Sequence, residues 1–158
     1  MNFAKLARKN GEYPIALTSY QTVIKKGVDQ PFYEAASIAL LSTKKEMLYE
    51  SPTTPKKDFE VLVSEYEIAI ETFGIADFTA PAIRETACIY AQKLFSPKTS
   101  ISWLERLLDA PGITKKEVAL TKIDLGDYLL MDNMVWEAAL YYMQAEKAFK
   151  YDELGDEA

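Results

Sequence analysis

The chain has 158 residues, about the length of one domain, and 49% of them are hydrophobic, which is enough to build a core. Its net charge of −6 argues against non-specific binding to nucleic acid or to an anionic membrane, since both need a cationic surface. No stretch approaches the roughly 18 apolar residues of a membrane span. One cysteine, Cys88, excludes an internal disulfide and leaves open whether the compartment is cytoplasm or periplasm.

Apolar residues recur at three- and four-residue steps in the first half of the chain, which predicts four helices. Turn residues set their bounds, since Asn10-Gly11, Gly27 and the loop at 51–55 separate the apolar stripes. The predicted helices cover residues 2–9, 13–26, 31–50 and 56–74.

The second half predicts four more helices. Thr79 is placed as an N-cap for a fifth helix that ends near Phe95, and Pro111-Gly112 ends a sixth helix over 98–109. Thr114 and Glu117 have the spacing of a capping box, which predicts the start of a seventh helix that runs to residue 131. The eighth is predicted over 134–151.

Two segments near opposite ends of the chain share one helix face. In each, a small residue is followed by an aromatic residue four positions on and a small or apolar residue three further. The first segment has Ala16, Tyr20 and Val23 after Gly11, and the second has Ala138, Tyr142 and Ala145 after Leu125-Gly126 and Asn133. This recurrence indicates a helical repeat protein.

These residues resemble the tetratricopeptide repeat (TPR) family, whose unit is a helix pair with this pattern. The second unit matches through Leu62, Tyr66 and Ala69, whereas the third keeps only the size pattern around Ala87-Cys88 and Leu104-Leu107. The resemblance implies an all-α, right-handed superhelix with units at 1–30, 31–75, 76–112 and 113–151. Residues 152–158 would begin a further helix, so the chain is interpreted as an excerpt of a longer array.

The resemblance implies a non-catalytic scaffold that binds a protein or peptide of unknown identity in the concave face of the superhelix. In this register, the positions facing that groove are Lys5, Arg8, Thr43, Lys44, Gln92, Lys93, Asp127 and Met131. The alternative is a docking or spacer region of a larger regulatory or envelope-assembly protein whose active part lies outside this chain. Self-association through the terminal helices is left open.

Candidate catalytic and metal-binding residues are few. The sequence has no histidine, which removes the most common general base and metal ligand. Cys88 lies among apolar residues and is predicted to be a buried small side chain rather than a nucleophile. Asp124, Asp127 and Asp132 could suggest a cation site, but a dedicated loop of oxygen ligands is missing. We therefore expect no catalytic residue, no cofactor and no metal.

Overall fold

The computed structural model describes the backbone of residues 1–155 and the side chains of residues 1–148. Over this range the chain is all-α, with no strand, which confirms the predicted fold class. The helices are α1 Asn2–Lys9, α2 Tyr13–Ile24, α3 Tyr33–Glu50, α4 Lys56–Phe73, α5 Ala80–Gln92, α6 Pro97–Leu108, α7 Lys115–Met131 and α8 Val135–Gly155. None of them, within the described residues, is long and apolar enough to cross a membrane.

The chain divides into two compact units, Met1–Phe73 (unit 1) and Gly74–Ala158 (unit 2). Unit 1 contains α1 to α4, and unit 2 contains α5 to α8. The division falls beside the predicted boundary between the second and third repeats, at residue 75. Within each unit, helices that follow one another along the chain pack against each other, as they do in helical repeats.

The core among the first three helices of unit 1 is built mainly from alanines. Ala4 and Ala7 of α1, Ala16 and Tyr20 of α2 and Ala36 of α3 form one buried cluster. Because alanine is small, the three helices approach closely, and the Tyr20 ring supplies most of the volume between them. Edge-to-face aromatic pairs then join α3 to α4, with centroid separations of 6.1 Å for Tyr33–Phe73 and 5.5 Å for Tyr49–Phe59.

The core of unit 2 combines large aliphatic side chains with alanines. Ile83, Ile89, Leu104, Leu107 and Leu125 are all fully buried, and so are alanines such as Ala80 and Ala87. The small residues let the helices approach closely, and the large ones fill the space between them.

The helices α5 and α6 are joined by a buried hydrogen bond that sequence analysis did not anticipate. The Ser100 hydroxyl donates to the Ala87 carbonyl over 2.7 Å. Ser100 precedes Leu104 and Leu107 by four and seven residues, which is the spacing of Ala16 before Tyr20 and Val23. The segment predicted as the third repeat therefore carries a small buried residue at this spacing, but as a serine rather than an alanine.

Helices α7 and α8 approach closely at Gly126 of α7. A Cβ atom at this position would lie 2.5 Å from Cε1 of Tyr142 on α8, which is too close for a carbon contact. The Tyr142 hydroxyl donates to Asp127 over 2.6 Å, which fixes the ring in place. The intervening turn contains Asn133 at φ 62°, a left-handed conformation that asparagine tolerates.

Several predicted helix boundaries need correction. Helix α2 ends at Ile24 and α3 begins at Tyr33, so the loop between them is longer than predicted. Helix α5 ends at Gln92, because Phe95 adopts φ 54° and cannot continue a right-handed helix. Helix α8 continues through residues 152–155, which therefore do not begin a further helix. Residues 156–158 lie outside the described part of the chain.

The two predicted N-caps behave differently. The Thr114 hydroxyl accepts from the Glu117 N–H over 3.3 Å, so Thr114 caps α7 as predicted. The other half of the capping box is replaced, because the Thr114 N–H donates to Asp77 over 2.9 Å. Thr79 precedes α5 but makes no capping bond to it. Its hydroxyl accepts from the Ala76 N–H and donates to the Gly74 carbonyl, so it stabilises the loop before the helix instead.

Candidate functional site

An open cavity of about 730 Å³ lies among the first three helices of unit 1. Two of the predicted groove residues, Lys5 and Arg8, line it. The remaining lining residues come from the end of α1, the following turn, α2 and α3; they are Lys9, Asn10, Gly11, Tyr13, Tyr20, Ala39, Glu46 and Glu50. Most of these residues carry a polar or charged group, although polar and apolar atoms contribute equally to the exposed lining.

An ion pair joins α1 to α3 in the wall of this cavity. The Arg8 guanidinium donates through Nε and Nη2 to the two carboxylate oxygens of Glu46, at 2.9 and 2.6 Å. This two-bond geometry is the strong form of an arginine–carboxylate contact. The Glu46 side chain is 41% exposed, so water screens the pair and its partners can exchange.

Tyr20 contributes a buried hydroxyl to the same wall. The residue is fully buried, and its hydroxyl forms no hydrogen bond of standard geometry with any described residue. Burial raises the pKa of this hydroxyl, Arg8 lowers it through its charge and a hydrogen-bonding approach, and Glu46 raises it. A buried hydroxyl without a hydrogen bond of good geometry costs about 1–3 kcal/mol, and among the described residues Tyr20 is the one side chain in this position.

Some charged side chains around the cavity contact another residue of unit 1, and others form no ion pair. Glu46 binds Arg8, and Glu50 lies near the Tyr13 hydroxyl, whose pKa it raises. Lys5 and Lys9, one helical turn apart on α1, form no ion pair with a described residue. The α1 sequence contains no acidic residue at all. The cavity therefore presents unengaged positive charge.

The other two predicted groove residues of unit 1 lie away from this cavity. Thr43 is fully buried, and its hydroxyl donates to the Ala39 carbonyl over 2.7 Å, so it offers no surface to a ligand. Lys44 pairs with Glu65 of α4 at 2.6 Å. That pair borders a separate, more apolar depression of about 220 Å³ that includes Leu17 and Met47.

The four predicted groove residues of unit 2 do not form a described cavity. Gln92 and Lys93 lie at the end of α5, where Lys93 takes the C-cap position and is partly buried. Asp127 is engaged by Tyr142, which raises the pKa of that hydroxyl to about 12 through burial and this hydrogen bond. Met131, at the end of α7, is 48% exposed.

A second arginine cluster joins α5 to α7 inside unit 2. Arg84 donates through Nε to Asp124, and its Nη1 lies 3.5 Å from Glu117. All three side chains are at most 22% exposed. These contacts raise the pKa of Arg84, although burial opposes the rise and is the largest single influence. Arg84 thus contacts two carboxylates, those of Asp124 and Glu117.

The candidates for nucleophilic or metal chemistry are accounted for by structural contacts. Asp124 and Asp127 bind Arg84 and Tyr142, and no group of three potential metal ligands occurs among the described residues. Cys88 is partly rather than fully buried. It lies beside Tyr128, whose pKa is raised by burial first and by Cys88 and Asp124 next.

Helix α8 exposes an apolar stripe of Trp136, Leu140 and Met143, spaced by four and three residues. Trp136 is 84% exposed. Nothing in the described residues covers this stripe.

Comparison with known proteins assigns no family to the chain. No protein-family model matches it, and no curated protein matches it in sequence. The site must therefore be interpreted from its own geometry.

Proposed function

We propose that this protein is a non-catalytic scaffold that binds a protein or peptide segment, with the unit 1 cavity as the docking place. The supporting observation is the unpartnered, fully buried Tyr20 hydroxyl in the wall of an open, charged cavity. A bound group that accepts a hydrogen bond would recover the cost of that hydroxyl. The lysines at its rim would attract and orient such a group.

The repeat resemblance supports the same proposal. The positions that carry it are occupied as TPR packing requires, since Ala16, Tyr20, Ala138 and Ala145 are all buried. In that family the first helix of each pair lines the binding groove, and α1 and α3 hold this place in unit 1. The right-handed superhelix and the continuous concave face belong to this proposal.

Photo-crosslinking tests the docking place directly. Peptides selected from a random display library against the whole chain would be incubated with a variant carrying benzoylphenylalanine at Asn10, an exposed residue on the cavity rim. The control carries it at Lys57, an exposed residue of α4 outside the cavity. We expect crosslinking at Asn10 and little at Lys57. If the selected peptides crosslink equally at both positions, or if no peptide is selected, the proposal is wrong.

A further inference from the structure

The apolar stripe of Trp136, Leu140 and Met143 runs along the outer side of α8. At about 100° per residue, its three side chains point within about 60° of one another and almost opposite to the buried Ala138. Lys147 continues the stripe one helical turn after Met143, and it is exposed. The outer side of α8 therefore begins with an indole ring, ends with an ammonium group and has two apolar side chains between them.

The two ends of this line of residues are complementary to each other. Lys147 forms no ion pair with a described residue, and Trp136 is 84% exposed. An ammonium group is attracted to the face of an aromatic ring, most strongly to that of tryptophan. Within one copy these two side chains cannot meet, because eleven residues of helix place them about 16 Å apart. Each of them is therefore available to a second molecule.

A second copy of the chain supplies the missing contact at both ends if its α8 runs antiparallel. When Trp136 of each copy meets Lys147 of the other, the two-fold axis passes between residues 141 and 142. Leu140 of each copy then faces Met143 of the other, so the apolar middle of the stripe is covered as well. A parallel pair would instead bring the two Lys147 ammonium groups together, and like charges repel.

The acidic residues beside the stripe do not oppose the antiparallel pair. Glu137 and Glu146 lie on opposite sides of the stripe, each about 90° from its centre. In an antiparallel two-fold pair, each side of the stripe faces the same side in the other copy. Glu137 therefore lies across from the neutral Gln144 of the other copy and not from Glu146.

We propose that the outer side of α8 is a homodimerisation surface, on which two copies of this chain pair antiparallel. Trp136 of each copy lies against Lys147 of the other, and the contact is isologous because both copies use the same residues. The surface belongs to unit 2 and includes no residue of the unit 1 cavity. Dimerisation and peptide binding are therefore tested separately.

The area of the stripe sets the expected strength of the dimer. Its three apolar side chains expose on the order of 400 Å², about half of it from Trp136. Two stripes and their flanks would bury about 800–1,000 Å² in total, which is less than the roughly 1,200–2,000 Å² of a stable complex. We therefore expect a weak, reversible dimer with a Kd of about 10–100 µM.

Sedimentation equilibrium of the whole chain between about 1 µM and 1 mM measures this association. We expect a monomer–dimer equilibrium that stops at two copies, because an isologous contact uses up the surface of both. A chain that stays monomeric throughout this range overturns the proposal. Growth beyond the dimer also overturns it, because it indicates a head-to-tail contact between different surfaces.

Leu140→Lys tests whether the stripe is the interface. The substitution places a charge against Met143 of the other copy, so we expect the Kd to rise by about tenfold or more. The matched control is Ile68→Lys, which makes the same kind of change at an exposed apolar residue of α4 and should keep the Kd within about twofold. Both sites are more than half exposed, and circular dichroism checks that both variants fold. Equal Kd values for the two variants contradict the proposal.

Lys147→Gln tests the antiparallel orientation. It removes both ammonium–indole contacts of the dimer, so the Kd should rise by about fivefold or more. Lys147→Arg keeps the cation and should stay within about twofold of the wild type, as should Lys57→Gln, the control for net charge. A lower Kd for Lys147→Gln would mean that the two lysines face each other in a parallel pair. An unchanged Kd would place Lys147 outside the interface, and either result overturns the proposed pairing.

Discussion

Each unit joins its first and third helices through an arginine, but the two arginines are neutralised to different extents. Arg84 in unit 2 is flanked by Asp124 and Glu117, whose side chains are 20% and 16% exposed. Arg8 in unit 1 has Glu46, which is 41% exposed. The arginine–carboxylate contact is therefore part of a partly buried ion-pair cluster in unit 2. In unit 1 it forms the wall of an open cavity.

The local sequences explain this difference. Helices α3 and α7 can be aligned on Thr43 and Thr121, because both residues are fully buried. Both hydroxyls also donate over 2.7 Å to the carbonyl four residues earlier. In that register Glu46 corresponds to Asp124, but Ala39 corresponds to Glu117. An alanine thus stands beside the unit 1 cavity where unit 2 places its second carboxylate.

The core composition follows the same division. Unit 1 fills the space among α1, α2 and α3 with alanines and the polar Tyr20, whereas unit 2 has Leu104 at the position with the same spacing. A leucine has no hydroxyl to satisfy. At this position unit 1 therefore buries a hydroxyl where unit 2 buries a hydrocarbon side chain.

Removing the arginines should give the largest difference between the units. Arg84→Ala leaves two partly buried carboxylates without a counter-charge, so we expect a loss of about 2–3 kcal/mol in the free energy of unfolding. Arg8→Ala leaves one carboxylate that water can solvate, and should cost about 1 kcal/mol. Urea denaturation followed by circular dichroism measures both. If both variants lose the same free energy of unfolding, the difference in exposure between the Arg84 and Arg8 ion pairs does not affect their contribution to stability.

Gly126→Ala tests the close approach of α7 to α8 in unit 2. In the alignment of α3 with α7, the position of Gly126 is taken in unit 1 by the larger Leu48. Alanine favours a helix by about 1 kcal/mol over glycine. The new methyl group would nevertheless meet the Tyr142 ring, and we expect a net loss of about 1–2 kcal/mol by thermal denaturation. In a Tyr142→Leu background the same substitution should cost less. A stabilising effect in the wild-type background would contradict the close approach.

Exchanging Ala39 and Glu117 between the units should convert one arrangement into the other. Ala39→Glu supplies Arg8 with a second carboxylate and narrows the cavity, so we expect peptide binding to fall by about tenfold or more. Glu117→Ala should reduce the free energy of unfolding by about 0.5–1 kcal/mol, because Arg84 keeps Asp124. Anisotropy titration and urea denaturation check the two halves. If a folded Ala39→Glu variant binds the peptide with unchanged affinity, the peptide does not bind in the cavity.

The smallest expected effect concerns the tyrosines. Tyr20→Phe removes a buried hydroxyl that has no partner, so stability should stay unchanged or rise by up to about 1 kcal/mol. Tyr66 is equally buried, but its hydroxyl is not among the buried unpartnered atoms, so Tyr66→Phe loses a hydrogen bond to protein or water. It should cost about 1 kcal/mol. A larger loss for Tyr20→Phe than for Tyr66→Phe in denaturation experiments would mean that the Tyr20 hydroxyl is satisfied after all.

Much of the secondary structure could be predicted, because it depends on local signals. The all-α class follows from apolar periodicity, and the start of α7 at Thr114 follows from a capping box that spans four residues. The errors arose where a single backbone conformation decided the boundary, as at Phe95. Ser100, the small residue of the segment predicted as the third repeat, was not identified from the sequence. Serine is usually exposed, and its burial here depends on the hydrogen bond from its hydroxyl to the Ala87 carbonyl.

The site was predicted less completely. Lys5 and Arg8 were named from their register, but Glu46, Tyr13 and Tyr20 were not, and Thr43 proved to be buried. The available signal was that Tyr20 is a tyrosine where a phenylalanine would pack equally well. Its hydroxyl becomes informative once its surroundings are known.

By itself, the sequence determined the helices and the small–aromatic–small face, since both depend on residue types at fixed spacing along one chain segment. The tertiary structure decided which charges are neutralised and which are available. The partners of Arg8, Arg84 and Tyr142 lie on other helices, between 15 and 40 residues away along the chain. Periodicity places a side chain on a helix face, but distance and burial decide whether it binds a neighbour or remains free for a ligand.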